Sequence, residues 1–397
     1  MFKNRTVNSF LLIFTHEYPP FAGGISTFTY EYALHLYRLG RKVVVLAPKY
    51  GSKDRDFDKK QIFPTVRMRL LKNRGSYFNH IIDVFYLIYV LLIYKIDKIF
   101  LTDFFPQRTI ALFNLFSWSK FIIAAHGSEI LNNLDHPIKR FLFKKIYEKP
   151  EAIICVSNYT KKLLMAQNIE KVSSNIRVIY NGVNFDFLTR PSDPKIVSTI
   201  KERFNLSGKK VIISLCRLSP RKGIDYVIKA MDYMRERLPD LVYLICGTGE
   251  SSEYLTNLAR ELKVLDRVIF AGYVPEENKI EYLDIGDVYI MLSQQDHNNV
   301  EGFGISYLEA AARKIPVIGY KHGGVEEAII NNKTGIILDK LSPQVIEEVV
   351  EKLLYDTRFR ERLIRQGLER CKNELNWSIL ISKNYDLFDN GFYRKTN

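Results

Sequence analysis

Two stretches of the sequence carry residues whose types and spacing suit chemistry on an anionic, hydroxyl-rich ligand. The first is Glu301-Gly-Phe-Gly-Ile-Ser-Tyr-Leu-Glu309. Gly302 and Gly304 let backbone approach a ligand closely, and the helix expected over 305–313 offers free N–H groups and a positive dipole end. That geometry suits a diphosphate. Glu301 precedes the helix and Glu309 lies more than one turn inside it. A carboxylate accepts hydrogen bonds from vicinal hydroxyls, so one of the pair can hold a sugar and the other a ribose. The same residues would also make a glycine turn before a surface helix carrying two solvated glutamates. The second stretch is Arg217-Leu-Ser-Pro-Arg-Lys222-Gly223. Two cations at the end of a strand, set apart by a proline turn, can grip two phosphates and stabilise a diphosphate leaving group. Isolated basic residues are otherwise surface charge, and it is the pairing with the Glu301 segment that favours function.

Four smaller features qualify this picture. Tyr18-Pro-Pro-Phe-Ala-Gly23-Gly24-Ile25 falls between a first strand and a first helix, where adjacent glycines allow backbone donation to a phosphate. His126-Gly127-Ser128-Glu129 follows an apolar run, which points the imidazole towards a sheet's carboxyl edge, where it can donate to or polarise a sugar oxygen. Cys246-Gly-Thr-Gly249 lacks the third glycine of a dinucleotide fingerprint and reads as a tight strand-to-helix turn. Asp54-Arg-Asp56-Phe-Asp58 has D-x-D spacing, but it lies in a charged run with no strong strand before it, so it reads as a solvated loop and no metal ligand is assigned.

The elements that must position these residues alternate. Apolar runs at 10–15, 42–47, 98–102, 121–125, 152–156 and 178–180 read as strands, with helical spacing between them at 27–39 and 138–147. A stretch rich in Pro, Asp, Ser and Gly at 189–208 reads as a linker holding one short helix. Strand-like runs resume at 211–216, 241–246, 267–270, 288–292, 316–320 and 335–338. The pattern predicts an α/β protein of two Rossmann-like domains facing across a cleft: residues 1–190, residues 191–374, and a helical segment 375–397 that returns to the first domain.

Composition narrows the class. A chain of 397 residues with 47% hydrophobic and 26% charged residues suits a protein with two sizeable cores. The four cysteines are far apart in sequence, which argues for reduced thiols and a reducing compartment. Lys3 and Arg5 before Phe10–Phe14 superficially resemble a signal peptide, but the apolar run is too short, and the run at 84–94 is too short to span a bilayer. Residues 1–190 hold 28 Lys+Arg against 14 Asp+Glu, while the remainder holds 30 of each, so the whole net charge of +14 lies in the first half. Such a half favours an anionic partner, with a merely lysine-rich surface as the alternative. Lys139, Arg140, Lys144 and Lys145 beside Phe141, Leu142, Phe143 and Ile146, and Arg67, Arg69, Lys72 and Arg74 ahead of Tyr77 and Phe78, are the candidate membrane-facing clusters.

The ordered set Pro19-Pro20…Gly23-Gly24, His126-Gly127, Val156-Ser157, Asn181-Gly182-Val183, Arg217-Leu218, Lys222-Gly223, Gly247–Gly249, Glu301–Glu309, Gly323-Gly324 and Trp377 resembles glycosyltransferase family 4, and it covers essentially the whole chain. The resemblance implies the GT-B fold, a retaining transfer from a nucleotide-sugar, and neither metal nor cofactor. It also implies roles. Arg217 and Lys222 grip the diphosphate, Glu309 the ribose, Glu301 the donor sugar and His126 the sugar near the reacting carbon. Gly23, Gly24, Phe303, Gly304 and Ile305 supply amides to phosphate and sugar, and the Tyr273-Val274 backbone faces the base. His126, Glu301, Arg217 and Lys222 are the expected catalytic set.

Asn184, Arg313-Lys314 and His322 depart from the family's usual aspartate, small residue plus glycine, and serine. The polar insert at 294–299 is similar to that of mannosyltransferases acting on phosphatidylinositol mannosides. It points to GDP-mannose as donor and a lipid-linked or cell-envelope glycan as acceptor. The expected location is the cytoplasm, extending to the inner face of the cytoplasmic membrane, with no nucleic-acid partner. A sugar-nucleotide epimerase of the same fold and a non-catalytic membrane-surface or nucleic-acid-binding protein are the alternatives.

Overall fold

The structure is a computed structural model that describes residues 9–71, 77–115, 119–132, 137–167 and 175–389. Lys3, Arg5, Lys72 and Arg74 lie outside the described residues. The chain forms two compact units, Met1–Asn181 with Trp377–Asn397, and Gly182–Asn376.

In the first unit, β1 (Phe10–Phe14), α1 (Gly24–Arg38), β2 (Val43–Pro48), α2 (Lys53–Asp58), β3 (Thr65–Met68), α3 (Tyr77–Ile93), β4 (Ile96–Leu101) and α4 (Phe104–Leu112) come first. They are followed by β5 (Lys120–Ala125), α5 (Ser128–Leu131), α6 (Pro137–Glu148), β6 (Ala152–Cys155), α7 (Asn158–Met165) and β7 (Ile176–Val178). The sheet is wholly parallel in the order β3-β2-β1-β4-β5-β6-β7. Runs such as Val43-Val-Val-Leu-Ala-Pro48 are buried along their full length, as strands covered on both faces must be. One face is closed by α3, α4 and α6, whose Leu87, Val90, Ile110, Phe143 and Ile146 pack on Phe14, Leu46 and Ile123.

The second unit runs α8 (Phe185–Leu188), α9 (Pro194–Arg203), β8 (Lys210–Leu215), a 3-10 turn at Pro220–Lys222, α10 (Ile224–Tyr233), β9 (Leu241–Cys246), α11 (Ser252–Glu261) and β10 (Val268–Gly272). Next come α12 (Lys279–Leu283), β11 (Val288–Ile290), α13 (Ile305–Ala312), β12 (Val317–Tyr320), α14 (Val325–Ala328), β13 (Ile336–Leu338), α15 (Pro343–Tyr355) and α16 (Thr357–Asn373). Its sheet is also parallel, in the order β10-β9-β8-β11-β12-β13. Strand order reverses between β1 and β4 in one sheet and between β8 and β11 in the other. Loops leaving neighbouring strands diverge at such a point and open a crevice at the carboxyl edge.

Two sequence expectations need correction. β3 was not anticipated, because Thr65-Val-Arg-Met68 is a short, half-buried edge strand with little apolar signal. The linker 189–208 belongs to the second unit rather than bridging the two, and the change of unit falls at Gly182, not after Arg190. Arg313 shows why: its guanidinium pairs with Asp284 and donates to the carbonyls of Leu188 and Arg190, pinning that segment. Asn184 caps α8, accepting from Phe187 N at 3.1 Å. The returning α17 (Trp377–Lys383) buries Trp377 edge-on to Phe28 and Tyr32 of α1, each with ring centroids 5.9 Å away. Lys98 Nζ adds a 2.7 Å bond to the Leu387 carbonyl.

Candidate active site

In the second unit the loops leaving β8 and β11 converge. The β8 loop tightens into the 3-10 turn and carries Arg221 and Lys222 inward. The β11 loop returns through Ser293 to Glu301 before Gly304 opens α13. Gly304 has φ +97°, and a Cβ there would sit 2.6 Å from the Tyr307 ring, so both conformation and space require glycine. Tyr307 in turn donates to the Met291 carbonyl at 2.5 Å, which ties α13 to the end of β11.

Glu301 Oε2 accepts from Lys222 Nζ at 2.5 Å, Arg221 Nη1 at 2.7 Å and Ser293 Oγ at 3.2 Å. Glu301 and Lys222 are each 8% exposed. Burial alone would raise the Glu301 carboxyl, but the Lys222 and Arg221 charges outweigh it and hold the group down at about 2. The carboxylate is therefore ionised at neutral pH and presented to whatever enters the crevice. His322, on the loop after β12, is pushed down by burial against an upward pull from Glu301.

Glu309 sits on the second turn of α13 and accepts from Lys279 Nζ at 2.8 Å, while the same amine pairs with Glu276 at 2.6 Å. Burial would lower the Lys279 ammonium, but Glu309 and Glu276 keep it charged. Tyr273 and Val274 follow β10 directly, in the loop that leads to Lys279, and Tyr273 is largely exposed.

The structure divides the residues that sequence had paired. Lys222 joins Glu301, whereas Arg217 projects into solvent and pairs with Glu250 at 3.4 Å. The inner cation beside Lys222 is Arg221, which sequence reasoning passed over, as it did Ser293 and Lys279. The proline turn was the available signal, since a 3-10 turn at Pro220 moves the inward positions to its last two residues. Gly247 and Gly249 form the tight turn expected of them: a Cβ on Gly247 would fall 1.8 Å from the Cys216 carbonyl.

In the first unit, His126 follows β5 with its ring edge-on to Phe28, centroids 5.0 Å apart. Its Nε2 lies 2.8 Å from the Thr102 carbonyl, which can only accept, so Nε2 carries a proton and the neutral ring keeps Nδ1 as its acceptor. Glu129 fixes the loop by accepting from His126 N and Gly127 N, at 2.5 and 3.1 Å. Gly23 and Gly24 are exposed at the start of α1, which has no side-chain cap.

The same carboxyl edge holds a buried network that was not anticipated. His16 Nε2 meets both Asp83 oxygens at 2.9 and 3.1 Å. Asp83 accepts from Thr109 Oγ1 at 2.7 Å, and Thr109 Oγ1 is 2.7 Å from His80 Nδ1. Asp103 accepts from His16 N and Thr15 Oγ1, joining the ends of β1 and β4.

The D-x-D run is not a solvated loop. It forms α2 after β2, and buried Asp54 accepts from Tyr50 N and Gly51 N at 2.6 and 2.9 Å, while Asp58 pairs with Arg67. Asp54 thus serves its own turn. Among the described residues no group of three or more His, Cys, Asp or Glu is placed to hold a metal ion. Cys155, Cys216, Cys246 and Cys371 are free thiols, all pushed up by burial, Cys216 to about 11.

Two family models match the chain, Glycosyltransferase Family 4 over residues 22–187 and Glycosyl transferases group 1 over residues 197–370. The first spans the Gly23-Gly24 and His126 loops, and the second spans Lys222, Glu301 and Glu309. The chain is 27% identical over 359 residues to a GDP-mannose-dependent alpha-(1-6)-phosphatidylinositol monomannoside mannosyltransferase of Mycolicibacterium smegmatis, across 88% of this chain and 90% of that enzyme. An uncharacterised glycosyltransferase of Methanocaldococcus jannaschii is 24% identical, across 96% of this chain and 98% of that one. The fold is similar to that of a Rickettsia africae glycosyltransferase, with TM-score 0.78, 20% identity, and coverage of 96% of this chain and 98% of that one. It is also similar to an Anabaena protein crystallised with UDP and glucose, with TM-score 0.78, 16% identity, and coverage of 95% and 98%.

Proposed function

The chain belongs to glycosyltransferase family 4 and has the GT-B fold, and from that premise we propose that it moves a hexose, with GDP-mannose as donor, to a lipid-linked or cell-envelope glycan acceptor with retention of configuration. Family membership favours a glycosyltransferase over the epimerase and over the non-catalytic binding protein. The observation that carries the proposal is the buried Lys222–Glu301–Arg221 cluster at the strand-order reversal of the second sheet. A diphosphate entering that crevice competes with Glu301 for two cations already desolvated and oriented, so little reorganisation accompanies its binding. Glu301, kept ionised, accepts from the donor sugar's hydroxyls, and Glu309, braced by Lys279, accepts from the ribose.

The support for mannose is the printed activity of the Mycolicibacterium relative together with the polar insert 294–299. In this reading Arg217 reaches the outer phosphate, and the amides of Gly23, Gly24, Phe303, Gly304 and Ile305 serve phosphate and sugar. The Tyr273-Val274 backbone serves the base. His126 Nδ1 accepts from a sugar hydroxyl. The leaving phosphate assists deprotonation of the acceptor, so no carboxylate nucleophile and no metal is needed. The protein acts in the cytoplasm, where nucleotide-sugars are made, on an acceptor presented at the membrane.

A donor screen reading release of free nucleoside diphosphate, with and without a lipid extract, tests the whole proposal. GDP-mannose turnover that rises with the extract and persists in EDTA is the expected result. Turnover only with another donor, no dependence on the extract, or loss in EDTA reversed by Mg²⁺ each removes the corresponding part.

A further inference from the structure

Helix α3 buries polar residues while leaving an apolar stripe outside. Asn79, His80 and Asp83 face the core beside Leu87 and Val90, with Asn79 and Asp83 0% exposed, and a second set of large apolar residues faces outward. Phe78, Phe85 and Leu92 recur every seven residues and are 65%, 68% and 82% exposed, with Tyr89 half-exposed beside them. The inner face is locked by the His16–Asp83–Thr109–His80 network and by Asn79, whose Oδ1 accepts from Leu71 N at 2.8 Å. The helix therefore cannot roll to hide the stripe without breaking buried hydrogen bonds, each costly to leave unmade.

An outward apolar stripe on a 17-residue helix with no charge on its exposed face needs an apolar neighbour. No described helix is long and apolar enough to cross a membrane, so this one has the character of an element that lies along a surface.

The surroundings identify that surface. On the same sheet face α3 packs beside α4, and α4 beside α6. Of the members of α6 expected to face a membrane, Leu142, Phe143 and Ile146 are core, while Phe141 is exposed together with Lys139 and Arg140, and so is the neighbouring Ile138. Arg67 is withdrawn to Asp58, but exposed Arg69 lies alongside α3, its N donating to Tyr86 Oη at 3.4 Å, and exposed Lys95 follows the helix's last turn. Glu148 is the sole carboxylate on α6, and α4 carries none. A second copy would bring two strongly basic halves together and repel. An anionic leaflet meets the apolar stripe and its basic flanks at once.

We infer that α3 is a membrane-docking element: its stripe Phe78–Phe85–Tyr89–Leu92 enters the headgroup boundary of an anionic phospholipid leaflet, with the basic outer face of α6 resting on the headgroups. This deepens the lipid-linked acceptor reading, since it sets the first unit against the surface that carries such an acceptor.

Co-sedimentation with phosphatidylcholine vesicles, with and without phosphatidylglycerol, tests it. The full chain should bind the anionic vesicles at least tenfold more tightly than the neutral ones. Phe85→Glu with Leu92→Glu should reduce that binding at least tenfold without changing the melting temperature, because both side chains are exposed. Lys139→Glu with Arg140→Glu should weaken it and flatten its salt dependence. Unchanged binding by the Phe85/Leu92 variant overturns the inference, as does equal binding to both vesicles or to neither. A concentration-dependent dimer abolished by that variant, with no vesicle binding, assigns the stripe to a second copy and also overturns it. Donor turnover is read separately. Turnover without vesicle binding removes the docking surface alone, whereas vesicle binding without turnover on any donor removes the proposed activity alone.

Discussion

Lys222 Nζ and Glu301 Oε2 stand 2.5 Å apart although 79 residues separate them in sequence, and both side chains are almost fully withdrawn from solvent. With Arg221 on the same oxygen, one carboxylate holds two cations where the second sheet's strand order reverses. Two positive charges, Lys222 buried and Arg221 partly so, facing one negative leave a charge imbalance that a diphosphate would complete in the proposed reaction.

Removing the carboxylate should expose that imbalance. Glu301→Gln leaves buried Lys222 and partly buried Arg221 without their carboxylate and should destabilise the protein by about 3 kcal/mol, the lower end of the cost of breaking a buried pair. A nucleoside diphosphate should raise the melting temperature of this variant more than that of the wild type. Equal ligand-induced shifts in the two proteins would place the diphosphate elsewhere.

The two cations first paired in sequence should separate experimentally. Lys222→Ala removes a buried charge-assisted bond and should cost about 1.5–3 kcal/mol in stability as well as weaken donor binding. Arg217→Ala removes a side chain 73% exposed and should leave the melting temperature within about 2 °C, while weakening the donor. Calorimetry with isothermal titration distinguishes them, and identical stability losses would contradict the division.

Lys279 should act through Glu309. Lys279→Met removes the brace and should weaken free nucleoside diphosphate and intact donor by similar factors, as Glu309→Ala does, because ribose belongs to both. The double variant should be little worse than either single one. Additive losses would mean that the two side chains serve different parts of the ligand.

Acid should unfold the protein in two windows. Burial pushes His80 down from 6.5 to about 4 against the pull of Asp83, so the unfolded chain takes up a proton that the folded one refuses. That contribution is complete above pH 6.5 and is lost as pH falls towards 4. Glu301, held at about 2 against 4.5, contributes stability above pH 4.5 that is lost between there and 2. Each is worth about 3 kcal/mol at neutral pH. Urea midpoints measured from pH 8 to pH 3 should fall first through the upper window, and His80→Asn should flatten that part alone.

Much of this was legible in the sequence because it depends on local order. Runs such as Leu241–Cys246 are apolar throughout and announce parallel strands, and glycine turns at strand ends announce a carboxyl-edge site. Glu301, Glu309, Lys222 and His126 could be chosen because each sits at a fixed short distance from such a run. Tertiary structure decided whatever depends on partners distant in sequence. It gave the inner position to Arg221 and left Arg217 on Glu250, because a 3-10 turn rather than residue spacing sets those directions. It moved Asp54 from a solvated loop to a buried turn. It also set Asn79, His80 and Asp83 of α3 inward beside Leu87 and Val90, where His16 and Thr109 hold Asp83, and left Phe85 and Leu92 outside. Hydrophobic periodicity records which residues are apolar. Which way they face is set by the strongest buried partner, and only the folded chain brings that partner near.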